Sequence, residues 1–133
     1  MITTTFVIAT VTYSVFNFVF ALLWNLGLFK KQYAEMTGTT ARENPIIPLG
    51  LAAIVVQAIA LSVLFSLYYK GENPVSEGFI LGLLFGSYST VYGAFVVPAK
   101  FNIVPIWKYA TLELVYGILH FGIAGIMLAY IFA

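Results

Sequence analysis

Four apolar stretches, each long enough to cross a lipid bilayer, constrain the fold of this sequence more than any other feature. They cover about residues 5–29, 46–69, 77–98 and 108–132, and a helix needs roughly 20 residues to cross the hydrocarbon core. The stretches lack the alternation of a barrel strand, and lipid cannot satisfy the backbone of an open sheet edge. The sequence therefore predicts an all-α fold, a four-helix bundle of a multi-pass membrane protein that forms one transmembrane domain over residues 1–133.

Composition agrees with this prediction and excludes several classes of protein. Of the 133 residues, 62% are apolar and 8% are charged, and a soluble domain of this size has too little interior to bury so much apolar surface. The net charge is +1, and the charges are scattered over short loops, which disfavours nucleic acid as a partner. The sequence has no cysteine, which excludes disulfides, iron–sulfur clusters and cysteine nucleophiles.

The basic residues predict how the helices are oriented. Five of the six basic residues belong to the first and third loops or their edges, namely Lys30, Lys31, Arg42, Lys100 and Lys108. Cytoplasmic loops of membrane proteins carry an excess of lysine and arginine. We therefore expect loops 1 and 3 to face the cytoplasm and both termini to lie outside, in a protein of the prokaryotic inner membrane.

The segments between the stretches predict where the helices begin and end. Loop 1, which runs from Lys30 to Pro45, is the longest loop, and loop 2, from Lys70 to Pro74, is predicted to be a tight turn. Ser76 is a candidate cap for the third helix. The first stretch lacks the basic start of a signal peptide and is too long for its apolar region, so we expect a retained helix.

The third predicted helix carries small residues at every fourth position, which are Gly78, Gly82, Gly86, Thr90 and Ala94. Such a stripe, a glycine zipper, lets two helix backbones approach closely, and close packing drives helix association in lipid. The stripe predicts tight packing against another helix. We favour a partner helix within the same chain over a seam between copies.

The fourth predicted helix carries Glu113, Tyr116 and His120 on one face. A carboxylate inside a membrane is costly enough to suggest a function, here a site for a proton, a cation or a substrate. The alternative for Glu113 is a structural carboxyl bonded to a neighbouring helix or loop. For His120 we favour a hydrogen-bonded core histidine, because a single histidine without cysteine is a poor metal or haem site.

Polar residues on all four predicted helices fall at matching depths. A middle layer contains Asn17, Gln57, Tyr88 and His120, and a second layer nearer the cytoplasm contains Asn25, Tyr92 and Glu113. Side chains at equal depth could form an interior hydrogen-bond network or line a narrow polar cavity. We favour the network, because hydrogen bonds between helices are common in bilayers.

Five short segments resemble small bacterial four-helix membrane families of unknown function. The first helix and loop carry Leu-Leu-Trp at 22–24, Gly-Leu-Phe-Lys-Lys-Gln-Tyr at 27–33 and Met-Thr-Gly at 36–38. The third helix carries the glycine-rich run 77–86, and the fourth carries Glu-Leu-Val-Tyr-Gly at 113–117. The chain is similar over nearly its whole length to the families numbered 2177 and 1761 among domains of unknown function.

The sequence departs from the pattern of these families at three positions. Glu113 stands where they have aspartate, Tyr116 stands for their tryptophan, and Asn25 stands for the tyrosine often found after the first-helix tryptophan. The resemblance implies the four-helix architecture. It implies no activity, because the families themselves have none assigned.

The function remains open between three classes. Since the sequence has no phosphate-binding loop, nucleophile elbow or metalloprotease motif, we expect a non-enzymatic accessory or structural subunit that packs with other membrane proteins or with copies of itself. The main alternative is a small oligomeric transporter or proton-coupled carrier that uses Glu113. The third is a protein or enzyme that binds lipid, quinone or pigment. The sequence implies no metal site and no cofactor.

Overall fold

The computed structural model describes residues 2–133 except for the side chain of residue 39, so residue 1 of the predicted domain lies outside the described part. Within this part every regular element is helical. Four helical spans are long and apolar enough to cross a membrane, and they are Thr4–Leu28, Ile47–Tyr68, Pro74–Lys100 and Ile106–Phe132. The predicted all-α class and the number of long apolar helices are confirmed.

Two of the long spans contain a π-helical segment, in which the helix widens locally; the first segment ends its span and the second lies within its span. In chain order the elements are α1 (Thr4–Leu22), a first π segment (Leu23–Leu28), α2 (Lys30–Thr37), a 3₁₀ turn (Gly38–Thr40), α3 (Ile47–Tyr68), α4 (Pro74–Val91), a second π segment (Tyr92–Val96), α5 (Val97–Lys100) and α6 (Ile106–Phe132).

Each π segment ends on a backbone hydrogen bond that spans five residues. The Phe29 N–H donates to the Trp24 carbonyl over 3.1 Å, and the Val97 N–H donates to the Tyr92 carbonyl. For the second segment the sequence offers a cause, because Pro98 has no N–H and its ring crowds the carbonyl four residues earlier. A wider turn before the proline relieves this clash.

The prediction of a loop over residues 30–45 is wrong for its first half, which forms α2. An eight-residue helix is marginal by itself, so packing must stabilise it. The Met36 side chain is buried against Ile103 and Tyr109, and the Val104 N–H donates to the Met36 carbonyl over 3.2 Å. These contacts also show that loops 1 and 3 meet at one end of the bundle.

The third span begins earlier than predicted, and Ser76 is not its cap. The helix begins at Pro74, and the Asn73 side chain accepts a hydrogen bond from the Ser76 N–H over 3.1 Å. Proline suits the first helical position because its missing N–H would have no partner there. The Glu77 carboxylate accepts hydrogen bonds from four backbone N–H groups of residues 70–73, and these bonds fix the shape of loop 2.

α6 packs against α1, α3 and α4, and its tightest contact is with α4. A Cβ atom at Gly82 would collide with the Phe121 carbonyl and would lie 2.9 Å from Gly125 Cα. Farther along, the face of α4 meets the Phe121 ring at Gly86, and the Thr90 side chain fills the space beside Gly117. The small residues of α4 thus face a helix of the same chain.

Candidate functional site

A cavity of about 260 Å³ lies between α1, α3, α4 and α6. The residues that line it are Asn17, Gln57, Ser89, Thr90, Glu113, Tyr116, His120 and Phe121. We call it the inner cavity. Five of the eight candidate polar residues from the sequence are among them, and Glu113 is the one member of the second predicted layer that lines this cavity.

His120 is held by a hydrogen-bonded chain that starts on α1. The Asn17 amide Nδ2 donates to Tyr13 Oη over 3.3 Å, and Tyr13 Oη lies 2.8 Å from His120 Nε2. The Tyr13 hydroxyl either donates to Nε2 or accepts from an Nε2–H, and the direction depends on the tautomer of the imidazole. A neutral imidazole that accepts at Nε2 carries its proton on Nδ1.

His120 Nδ1 has no hydrogen-bond partner among residues 2–133, although the His120 side chain is 1% exposed. A buried N–H without an acceptor costs about 1–3 kcal/mol, so native structures rarely leave one unpaired. His120 therefore keeps one buried ring nitrogen without a protein partner, and the residue also lines the inner cavity.

Aromatic rings surround the His120 imidazole on several sides. The ring centroids of Tyr13, Phe16, Phe20, Tyr116 and Phe121 lie 4.6–5.7 Å from the centroid of the imidazole. Rings packed this closely leave the imidazole little freedom to rotate. The two ring nitrogens are therefore held in fixed directions.

Glu113 is held by a second chain, which runs through α2. The Trp24 indole Nε1 donates to Tyr33 Oη over 2.9 Å, and Tyr33 Oη donates to Glu113 Oε1 over 2.7 Å. Burial and the hydrogen bond to Glu113 raise the pKa of Tyr33 above its ordinary value. The hydroxyl therefore keeps its proton and directs it at the carboxyl group.

Each π segment contributes one residue to the surroundings of Glu113, Trp24 through Tyr33 and Gly93 directly. Trp24, which orients Tyr33, belongs to the first segment, and Gly93 belongs to the second. A Cβ atom at Gly93 would lie 3.2 Å from Glu113 Oε2, so the glycine leaves space for this oxygen. Local π-helical turns in proteins occur frequently at functional sites.

Asn17 also connects α1 to α3, because its Nδ2 donates to Gln57 Oε1 over 3.1 Å. Gln57, Asn17, Tyr13 and His120 thus form one polar network across three helices. The predicted alternatives, network and cavity, are both present. The network forms one wall of the inner cavity.

Three candidate residues from the sequence lie outside the inner cavity. Tyr88 is 79% exposed, and Tyr92 accepts a hydrogen bond from Lys100 over 2.8 Å. The Asn25 amide donates to the Ala21 carbonyl of its own helix over 3.0 Å. These three residues lie on other faces of their helices than the residues that line the inner cavity.

Sequence reasoning did not propose Tyr13, Trp24, Tyr33 or Ser89 as site residues. Tyr13 could have been found, because it lies four residues before Asn17 and thus on the same face of α1. Tyr33 could not, since its position depends on α2, in a segment that was treated as a loop. No pattern in the sequence indicates Ser89 as a site residue.

Among residues 2–133, no three His, Cys, Asp or Glu side chains are grouped as metal ligands. Comparisons with protein families, characterised proteins and solved structures found no match to this chain. The resemblance to two bacterial families therefore stays a prediction, and the site has to be interpreted from its own geometry.

Proposed function

We propose that this chain is an integral membrane protein that binds a small polar solute in the inner cavity and carries it across the bilayer, with Glu113 and His120 as the main contacts. The observation that carries the proposal is the pairing of these two residues. Both line one cavity, each is bonded to a tyrosine hydroxyl, and His120 Nδ1 is buried without a hydrogen-bond partner among residues 2–133.

Insertion into a membrane is supported by the surface of the bundle. Large apolar side chains are exposed on each long helix; Val15 on α1, Val56 on α3, Leu84 on α4 and Ile118 on α6 are all at least half exposed. Water would make such a surface unfavourable, whereas lipid would not. The basic end of the bundle, where loops 1 and 3 meet, then faces the cytoplasm of a prokaryotic cell by the positive-inside rule, with both termini outside.

The inner cavity limits the class of solute. Its volume of about 260 Å³ favours a small solute of a few heavy atoms. In the tautomer that we propose, His120 carries its proton on Nδ1 and requires a hydrogen-bond acceptor, and the Glu113 carboxylate accepts an N–H or O–H hydrogen bond or pairs with a positive charge. A small amine or amino acid that also has a carbonyl, carboxylate or hydroxyl oxygen meets both conditions.

Glu113 gives such a carrier a means of release. An ionised carboxylate attracts a cationic group strongly in a medium of low dielectric constant. A proton on Glu113 removes this attraction while the neutral Tyr33 hydroxyl stays beside it. Proton binding and solute release would then be coupled at one residue.

The accessory-subunit hypothesis has less support, because it depended largely on the small-residue stripe. That stripe, Gly78, Gly82 and Gly86 with Thr90, faces α6 of the same chain. It leaves no close-packing seam for a partner helix at this place.

Thermal unfolding of the purified protein in detergent tests the proposal with glycine, alanine, glycinamide and ethanolamine as probes. We expect at least one probe to raise the unfolding midpoint of the wild type and of Glu77→Gln, a control that alters a carboxylate bonded only to loop 2. The same probe should not raise the midpoint of Glu113→Gln. Failure of all four probes on the wild type, or an equal response of Glu113→Gln, would contradict the proposal.

A further inference from the structure

A second and larger cavity, which we call the interfacial cleft, opens at the basic end of the bundle. It has a volume of about 930 Å³ and lies between the first π segment, α2, the segment after α2 and the start of α3. Among the residues that line it are Lys30, Arg42 and Glu43. The cleft is separate from the inner cavity.

The charged residues of the interfacial cleft give it an excess of positive charge. Lys30 approaches from α2 and Arg42 from the segment that follows it, whereas Glu43 is the one carboxylate that lines the cleft. The ion pair found among residues 2–133 joins Lys31 to Glu35, on other side chains. Neither Lys30 nor Arg42 is therefore neutralised by a carboxylate within 4.0 Å.

Below these charges the walls of the cleft are apolar. Leu26 comes from the first π segment, and Ile46 and Leu49 come from the start of α3. All three side chains are about half exposed or more, so they offer a surface to an acyl chain. Cationic groups above an apolar wall, at the end of membrane-spanning helices, match the two parts of a lipid.

We infer that the interfacial cleft binds one phospholipid with a net negative headgroup. Its phosphate lies between Lys30 and Arg42, because basic residues near a membrane surface bind anionic headgroups. Its acyl chain lies along Leu26, Ile46 and Leu49. Glu43 favours a headgroup that also carries hydroxyl donors, as in phosphatidylglycerol, since a carboxylate accepts O–H hydrogen bonds.

This site goes beyond the proposed carrier function and requires only that the chain is a membrane protein. Tyr33 connects the two cavities, because its side chain lines the cleft while its hydroxyl bonds to Glu113 in the wall of the inner cavity. Lipid binding can be measured without any solute. Its failure and the failure of the carrier proposal are therefore distinguishable.

Native mass spectrometry of the detergent-solubilised protein tests the inference. The probes are palmitoyl-oleoyl phosphatidylglycerol, the matching phosphatidylcholine and sodium phosphate. We expect the wild type to bind one phosphatidylglycerol at least tenfold more tightly than phosphatidylcholine, and millimolar phosphate should not displace it. Equal affinity for both lipids, or displacement by phosphate, would overturn the inference.

Two double variants with the same change in net charge locate the site. Lys30→Gln with Arg42→Gln removes the cations of the cleft, and a cation near an anionic headgroup contributes about fivefold in affinity. We expect this pair to lower phosphatidylglycerol affinity about twentyfivefold. The control, Lys31→Gln with Lys70→Gln, should change it less than twofold, and an equal loss in both would show non-specific attraction.

A charge-preserving pair keeps the test decisive if the first pair folds poorly. Lys30→Arg with Arg42→Lys retains both cations and should bind phosphatidylglycerol within about threefold of the wild type. Circular dichroism and the unfolding midpoint report whether each variant is folded. A folded charge-preserving pair that loses its preference for phosphatidylglycerol would contradict headgroup binding by these two residues.

Discussion

Two neighbouring faces of α6 are built in opposite ways. The face toward α4 brings backbones together at Gly82 and Gly125, with no room for an added Cβ atom. The face toward α1 and α2 carries Glu113 and His120, which are held by side-chain hydrogen bonds beside a cavity. One rigid seam can thus position α6 while the adjacent polar face stays open to a ligand.

The largest effect is expected at the rigid seam. Gly82→Ala should lower the free energy of unfolding by about 3 kcal/mol, because the new methyl group meets the backbone carbonyl of Phe121, which cannot move aside. Gly50→Ala on α3 is the matched control, since nothing lies within 4 Å of its Cβ position. Unfolding in detergent measures both. Equal stability of the two variants would mean that the seam is not tight.

The next largest effect concerns the polar face. Glu113→Gln should weaken solute binding about thirtyfold, because hydrogen bonds to charged groups contribute about 1.5–3 kcal/mol. Stability should change far less than for Gly82→Ala, since glutamine can still accept from Tyr33. Calorimetric titration with the probe that stabilises the wild type measures the loss. If Glu113→Gln binds the probe as tightly as the wild type does, the polar face is structural.

Tyr13→Phe is expected to have a smaller effect, within the polar face itself. It removes the donor to His120 Nε2 and should lower the free energy of unfolding by about 1 kcal/mol. Solute binding should also weaken, because the Nδ1–H form is no longer favoured. Tyr130→Phe, which alters a side chain that is 61% exposed, serves as the control and should leave both quantities unchanged.

The smallest effect is a difference in pH dependence. The pKa of Tyr33 is higher in the folded protein than its ordinary value of 10.0, so the unfolded chain loses this proton first. Stability that is present below pH 10 therefore falls as the pH rises above it. Tyr33→Phe should lose less stability than the wild type between pH 9 and pH 11. Identical losses would place Tyr33 outside the buried hydrogen-bonded chain.

Much of the architecture could be predicted from the sequence, because the length of an apolar stretch and the spacing of small residues are local features. The seven-residue spacing of Glu113 and His120 also predicted that they share a face of α6. Tyr88 and Tyr92 were predicted as site residues from their depth along the helix alone, and they do not line the inner cavity. Each lies two residues from members of the small-residue stripe, about 200° around the helix, so packing of the stripe on α6 turns both tyrosines away from the inner cavity.

The remaining parts of the site depend on contacts between distant residues. α2 exists because Met36 packs against Ile103 and Tyr109, and without α2 Tyr33 could not reach Glu113. The first π segment sets the direction of Trp24, yet no proline in the sequence marks it. Local patterns in a single sequence do not indicate these contacts between distant residues.

His120 is the only histidine of the chain, so its imidazole can be observed alone in protein labelled with ¹⁵N-histidine. Nitrogen NMR in bilayers tests directly whether the polar face presents a free donor to a solute. The account predicts a neutral ring with its proton on Nδ1, and a shift of the Nδ1 resonance when the stabilising solute is added. A proton on Nε2, or an Nδ1 resonance that does not respond to the solute, would contradict it.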